Sequence, residues 1–494
     1  MKFLLKGRNL YLLSLVLIIF LSAFLRFHNL PQLFVFTADE EYQTTLAKTL
    51  VDNFHIIWIG VSAANLDFYL GPFWTYFTAF WLFLSKGDPL ITGYVSSFIG
   101  VLTTMLIFVT GWRLFNPKVG LVSSLLYACL PLMVFFDQKY WNPSIIPFLS
   151  LLIVLAIYET RNSDKWWIVV AIAFGLIFHV HLSLVPLGLL AFYWLLRKQN
   201  ITKQTLIFCI LAFIVTISPL IVFDYFHKFS NITVPLRINQ ISSTDSTRFN
   251  PVQHLVALWE SMGRLFYLFP FSSNADEILH SCNQFRSKPV LAISALVLGI
   301  LLFFLLRKKT WREDNTKLLA LATLIILVSF LIFPGSANEY YLLGFYPLLL
   351  LILGIVSESM KILVKNIFLA CLALLCFVSV MTVLTSQGGY GMQTKKDLID
   401  KVTSKIGNNT FDLQEEGDCH KYEGWRYLFT VYGHKPERSS ADKSLGWLYP
   451  KDVSPVQTKY SIIMSENRVP VKFNTKDSIK ISENGFDAYI YKNY

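Results

Sequence analysis

The sequence predicts a polytopic all-α membrane protein of about eleven spans, followed by a small α/β extracytoplasmic C-terminal domain. Three observations carry that expectation. First, only 15% of the 494 residues are charged while 54% are hydrophobic, against about 25% charged in soluble proteins. Second, the basic residues cluster between apolar runs, as Lys2/Lys6/Arg8, Arg113/Lys118, Arg197/Lys198/Lys203, Arg307/Lys308/Lys309/Arg312 and Lys361/Lys365. That is the positive-inside pattern of membrane proteins, so the net charge of +11 is read as topology and no nucleic-acid partner is expected. Third, composition changes sharply after residue 385.

A crossing helix needs about 20 apolar residues, within a range of about 17–25. The run Leu10–Phe24 follows a basic start, as in a signal peptide, but Arg26-Phe27-His28 stands where a small-residue cleavage site would be. It is therefore read as an uncleaved first span over 9–28. Further spans are expected at 91–111, 119–136, 143–159, 166–180, 182–196, 205–223, 289–306, 317–334, 340–357 and 366–385. The pair 166–180 and 182–196 is short for two crossings, with His179, His181 and Pro186 at its turn.

A twelfth apolar stretch, Phe68–Ser85, is placed by parity. Were it to cross, Arg307-Lys308-Lys309 and most other basic clusters would face outward; lying on the surface, it leaves every cluster inside. Its aromatics, among them Phe73, Trp74, Phe77 and Trp81, suit an interfacial helix. The N-terminus is thus expected in the cytoplasm and the C-terminal domain outside the cell (plasma or inner) membrane. The domains follow: 1–385 in the bilayer, with extracytoplasmic loops 29–90 and 224–288, and 386–494 as the outer domain. The second loop is amphipathic around Val252–Phe271. In the tail, Lys395–Val402 has a helical pattern, while Tyr460–Met464 and Asp487–Tyr491 read as strands. Of six cysteines, four lie in apolar runs and none forms a C-x-x-C pair. Cys282 and Cys419 both fall outside, where a disulfide and two unrelated thiols are both open, the second being preferred.

Chemistry is sought first in Thr37-Ala38-Asp39-Glu40-Glu41-Tyr42, directly after the first span. Three consecutive carboxylates at a membrane boundary are costly if desolvated and invite a functional reading. The plainer alternative is that Asp39 caps a helix running to about Leu50. Asp67, before Gly71-Pro72, is either a loop turn or a second carboxylate of the site. Asp137, Lys139 and Asn142 precede Pro143 at the start of the fourth span, where Lys139 also fits as an interfacial snorkelling lysine. His179 and His181 lie two apart, on different faces of a continuous helix, and read more readily as a polar hairpin tip than as a metal pair. Arg264, on the amphipathic segment, either touches lipid headgroups generally or binds one particular phosphate. No Walker loop, G-x-S-x-G, H-E-x-x-H or dinucleotide fingerprint occurs.

Taken in order, Leu25-Arg26-Phe27-His28-Asn29-Leu30, Asp39-Glu40, Gly71-Pro72, Gly111-Trp112-Arg113-Leu114-Phe115, Tyr140-Trp141-Asn142-Pro143 and Tyr340-Tyr341-Leu342-Leu343-Gly344-Phe345-Tyr346-Pro347 give a chain that resembles the GT-C glycosyltransferases of the protein O-mannosyltransferase and lipid A aminoarabinose transferase type. The similarity covers roughly residues 1–360. It implies a transferase that takes a sugar from a polyprenyl-phosphate carrier on the outer face and passes it to an acceptor hydroxyl of a protein, lipid or glycan. Asp39 and Glu40 match the family's Asp-Glu pair, which makes Asp39 the base for a single inverting displacement. Lys139 and Arg264 are then candidates to stabilise the leaving phosphate, and Tyr341 matches a tyrosine near the carrier site.

Two positions depart from the family. Asn142 stands where relatives often carry aspartate before the proline, with Asp137 as a partial substitute. Asn338-Glu339 replace a lysine before the late tyrosine pair. Zinc ligands of some relatives have no clean match, so no metal residues are assigned, and a divalent metal is an open cofactor. The competing reading is a transporter or flippase of lipid-linked sugars, which mid-depth charges and inverted repeats would favour. The spans are nearly free of mid-depth charge and no repeat is seen.

Overall fold

Lipid offers no partner to a backbone N–H or C=O, so apolar runs must satisfy these groups internally as helices. The computed structural model describes residues 2–62, 68–197, 201–236, 250–268, 290–417, 424–442, 457–467 and 469–493. Each expected span contains a helix. Among the described residues, six helical segments are long and apolar enough to cross a bilayer: Asn9–Phe27, Leu90–Leu114, Asn142–Glu159, Lys203–Phe226, Asp314–Ile332 and Ile362–Thr385. A seventh is the pair Pro117–Cys129 and Pro131–Gln138, bent by 64°. Pro131, which has no N–H to give to the turn before it, accounts for that break.

The helices Trp166–Val180, Leu182–Arg197, Leu291–Leu306 and Tyr346–Ser359 are shorter. At about 1.5 Å per residue they fall short of a hydrocarbon core about 30 Å thick. Helix length therefore supports six or seven full crossings and does not establish eleven. The stretch placed on the surface by parity forms the helix Phe73–Leu84, shorter again. It packs against the helix Ala38–Asp52 and leaves Phe80, Phe83 and Leu84 exposed.

The helices meet through small residues and buried polar groups. A Cβ on Gly120 would lie 2.6 Å from the Phe108 carbonyl oxygen, so the helices Leu90–Leu114 and Pro117–Cys129 touch backbone to backbone, as small residues allow in membranes. Near the end of the first helix, Arg26 is fully buried and its Nε donates to Asp137 Oδ2 at 2.8 Å. Its Nη atoms donate to Ser22 Oγ and to the carbonyls of Tyr127 and Ala128, and Tyr127 Oη donates to Asp137 Oδ1 at 3.1 Å. Asp137 also fills the space beside Gly100, where a Cβ would come within 2.4 Å of it. It thus fastens its own helix to three others, with both carboxylate oxygens engaged in doing so.

The C-terminal region carries a five-stranded sheet in the order β2-β1-β3-β5-β4, from β1 (Phe411–Glu416), β2 (Arg438–Ser439), β3 (Tyr460–Glu466), β4 (Ile479–Glu483) and β5 (Phe486–Lys492). β1 runs parallel to β2 and β3, while β5 is antiparallel to β3 and β4. The helix Met392–Ile406 buries Leu398, Ile399, Val402 and Ile406, one apolar stripe at helical spacing, and packs on β4 and β5. The helical and strand patterns read from the tail are met. Cys282 and Cys419 lie outside the described residues.

Candidate functional site

The three adjacent carboxylates of Asp39-Glu40-Glu41 have three different fates. Thr37 is the N-cap of the helix Ala38–Asp52, and its N–H and hydroxyl both donate to Glu40 Oε2, at 2.9 and 2.7 Å. This is the reach-back half of a capping box, so the capping role considered for Asp39 belongs to Thr37 and Glu40. Glu40 is fully buried and its second oxygen, Oε1, accepts from Lys139 Nζ at 2.8 Å. Glu41, equally buried, accepts the N–H of Tyr427 at 2.9 Å. Asp39, just before them, is half-buried and close enough to act electrostatically on the Tyr340 phenol.

Lys139 is held by its backbone: its carbonyl accepts from Ser96 Oγ and Ser144 Oγ, both at 2.7 Å. Its ammonium also lies 5.0 Å from the centre of the Trp141 ring, a cation–π distance. Trp141 meets Tyr340 edge-on at 4.7 Å, and Tyr340 meets Tyr341 at 4.4 Å. His181 lies 5.5 and 5.4 Å from those two tyrosine rings. Asn142 opens the 3-10 turn Asn142–Ile145 next to Trp141.

Behind this aromatic wall, Arg264 Nε donates to Glu339 Oε2 at 3.1 Å and its Nη1 to Glu260 Oε2 at 3.0 Å. Tyr346 Oη donates to Glu339 Oε1 at 3.3 Å. Arg264 and Glu339 are 8% and 3% exposed, so this pair is a buried one. A general contact with lipid headgroups does not fit so enclosed a guanidinium. Asn338-Glu339, which depart from the family pattern, thus provide the carboxylate that Arg264 meets.

Burial pushes the Tyr340 hydroxyl well above the usual phenol range, so it is a proton-bearing donor. Burial likewise raises the Glu339 carboxyl, against the pull of Arg264. Burial, which disfavours the charged form, pushes the His181 imidazole down to about 4. Its Nδ1 accepts the Ser183 N–H at 3.2 Å, which leaves the proton on Nε2 of a neutral ring. The folded chain therefore resists a proton that the unfolded chain takes near pH 6.5. This part of its stability is complete above pH 6.5 and is lost as pH falls from there toward 4, by about 3 kcal/mol at most. Thermal melts in detergent across that interval should be flatter for His181→Gln than for the unsubstituted protein. Parallel pH curves would refute a neutral His181.

His179 goes elsewhere. Its Nε2 faces the Thr216 carbonyl at 2.7 Å, and its Nδ1 accepts the Phe73 N–H at 3.2 Å. Both ring nitrogens are engaged in joining the helix Phe73–Leu84 to two membrane helices. A Cβ on Gly71 would lie 2.1 Å from the His179 ring, so glycine is needed there for close approach. The structure thus gathers Asp39, Glu40, Lys139, Asn142, His181, Arg264 and Tyr341 at one end of the bundle, and leaves Asp137 and His179 out. Asp67 lies outside the described residues. Sequence reasoning did not single out Trp141, Glu260, Glu339 or Tyr340 as site residues; the i,i+4 spacing of Glu260 and Arg264 was the available signal for one of them. Among the described residues no group of three or more His, Cys, Asp or Glu is arranged to hold a metal ion, and no residue set is put forward for one.

Residues 69–223 match the family model described as dolichyl-phosphate-mannose-protein mannosyltransferase, a stretch that contains Lys139, Asn142 and both histidines. No curated protein matches the chain. Among solved structures the chain is similar to ArnT from Cupriavidus metallidurans bound to undecaprenyl phosphate, with a TM-score of 0.63, 9% identity and 98% of both chains covered. The apo state of that protein gives 0.60 at 10% identity, with the same coverage. Archaeal oligosaccharyltransferase AglB from Archaeoglobus fulgidus, in complex with an inhibitory peptide and a dolichol-phosphate, gives 0.50 at 12% identity, covering 93% of this chain and 70% of that one. Identities this low speak for the fold. The GT-C fold expected from the ordered motifs is borne out, and the likeness to ArnT extends over nearly the whole chain.

Proposed function

We propose that this protein is an integral-membrane glycosyltransferase that moves a sugar from a polyprenyl-phosphate carrier to an acceptor hydroxyl, with inversion. The observation that carries this reading is that Asp39 is half-buried, next in sequence to the Glu40 that pairs with Lys139, and within electrostatic reach of Tyr340, which belongs to an aromatic wall of Trp141, Tyr340, Tyr341 and His181 and follows the Glu339 that pairs with Arg264. The fold likeness to proteins solved with undecaprenyl phosphate and dolichol-phosphate and the mannosyltransferase model over 69–223 support it.

In this reading Asp39 takes the acceptor's hydroxyl proton as that oxygen bonds to the anomeric carbon. The bond from that carbon to the carrier phosphate breaks, and the electron pair leaves on the phosphate. A lysine ammonium has three donors, so the bond from Lys139 to Glu40 leaves it able to serve a phosphate oxygen as well. Arg264, anchored by Glu339, and the protonated Tyr340 supply further positive potential where that charge develops. The aromatic wall offers flat apolar surface to a sugar ring or to the first isoprene unit. The reaction side is taken to be extracytoplasmic, in the cell membrane, with the N-terminus inside. A cysteine placed at exposed Lys86 should then label from outside, and one at exposed Trp311 only from the cytoplasm.

The test is to incubate membranes holding the protein with a panel of radiolabelled polyprenyl-phosphate hexoses and pentoses and to follow the label. Appearance of label on a protein, lipid or glycan, dependent on this chain, identifies sugar and acceptor together. Movement of intact lipid-linked sugar between leaflets, with no new glycosidic bond, would replace this reading by the transporter one.

A further inference from the structure

The segment from Gln32 to Glu41 joins the first membrane helix to Asp39, and the C-terminal domain grips it at several places. The Met392 N–H donates to the Phe34 carbonyl at 2.8 Å. Lys395 is fully buried and its Nζ donates to the Phe36 carbonyl at 2.8 Å, while lying 4.8 and 5.0 Å from the Trp425 and Phe486 ring centres. Gly424 has φ of +79°, and a Cβ there would lie 2.5 Å from the Phe36 ring. This left-handed residue is the N-cap of the helix Trp425–Tyr432. The first turn of that helix points its Tyr427 N–H at Glu41 Oε1, where an orphan amide and the helix dipole both favour a carboxylate. The tyrosines of this helix reach on to the next part of the same face: Tyr427 Oη donates to the Gly87 carbonyl, and Tyr432 Oη to Asp88 Oδ1 at 2.6 Å.

We propose that Glu41 is a positioning residue for Asp39, and that the C-terminal domain is the element against which it positions. This rests on the reading of Asp39 as the base. Glu41 stands two residues after Asp39 in the first turn of one helix, so fixing its carboxylate on the Tyr427 amide fixes the rotation of that turn. Glu40 fixes it from the membrane side through Lys139. Asp39, the residue between the two clamps and the N-cap, is held at a set angle to the aromatic wall although its own side chain stays half-open. The domain at the far end of the chain is in this way part of the site's scaffold, without its own residues approaching the reacting atoms.

The experiment uses the full-length protein and four variants: Glu41→Ala, Glu41→Gln, Gly424→Ala, and Ile479→Ala at the exposed β4 edge as control. Amide hydrogen exchange should quicken in 34–41 for Glu41→Ala and Gly424→Ala, and stay unchanged for Ile479→Ala. Transfer by Glu41→Ala should fall about 10- to 100-fold in kcat, the scale of a small misplacement of a catalytic group, with KM for the donor within about twofold. Glu41→Gln, which keeps an acceptor for the Tyr427 N–H, should recover most of that loss. Unchanged exchange in 34–41 would overturn the docking role whatever the activity. A loss carried by KM, or a glutamine variant no better than alanine, would overturn positioning. Quickened exchange in a protein that transfers from no polyprenyl-phosphate donor would leave the docking in place and remove the reading of Asp39 on which the positioning stands.

Discussion

Asp39→Asn should lower sugar transfer by about 10²- to 10⁴-fold, the range for removing a general base, and leave the fold as it is. The substitution keeps size and shape and removes only the capacity to take a proton. The helix Ala38–Asp52 does not depend on Asp39 for its start, because Thr37 and Glu40 form its N-terminal cap. Nor does packing depend on it, since the buried carboxylates of the triplet are Glu40 and Glu41. Thermal melts and gel filtration should therefore superimpose on those of the unsubstituted protein, while transfer from whichever labelled donor proves active is lost. Near-normal transfer would sink the assignment of Asp39. Glu40→Gln makes a useful contrast: it breaks the charge pairing with Lys139 and should disturb both melting and transfer.

Asp137→Ala should destabilise the protein by about 3–5 kcal/mol, the usual result of removing one partner of a buried ion pair. Arg26 would be left fully buried with Ser22 and two carbonyls as its remaining partners, none able to balance its charge. Asp137 also lies two residues before Lys139, and Arg26 three residues before Asn29, where the first inter-helix segment begins. Their bond therefore sets the spacing between the Asp39 segment and the Lys139 turn, and transfer should fall with stability. Pairing Asp137→Leu with Arg26→Met removes both charges and should recover much of the melting temperature, since an apolar pair of similar volume often replaces a buried ion pair without loss. A single variant that melts like the unsubstituted protein would show that the pair contributes nothing.

Much of the architecture is legible locally. Hydropathy marks each helix because lipid makes helix formation a matter of composition, and the tail's alternating and helical patterns mark its strands and its first helix. The expected span over 119–136 is broken at Pro131 by a 64° bend, because a proline has no N–H to give to the preceding turn. Helix length is less legible: Tyr346–Ser359 begins six residues later than the apolar run at 340, because Glu339–Leu342 form a 3-10 turn held by Arg264.

By itself the sequence determined that this is a helical membrane protein with a sheet-bearing tail, and that Asp39-Glu40-Glu41 opens a helix soon after the first membrane helix, since those facts depend on the nature and order of neighbouring residues. Only the tertiary structure decided what each polar group does. Asp39 and Asp137 are both candidate site carboxylates in the chain, yet one stands half-open within electrostatic reach of Tyr340 while the other is buried against Arg26. Glu40 meets a lysine 99 residues away, and Glu41 an amide 386 residues away. A buried charge is tolerated only where a partner removes its desolvation cost. Which partner arrives depends on how distant helices pack, a matter on which local pattern is silent.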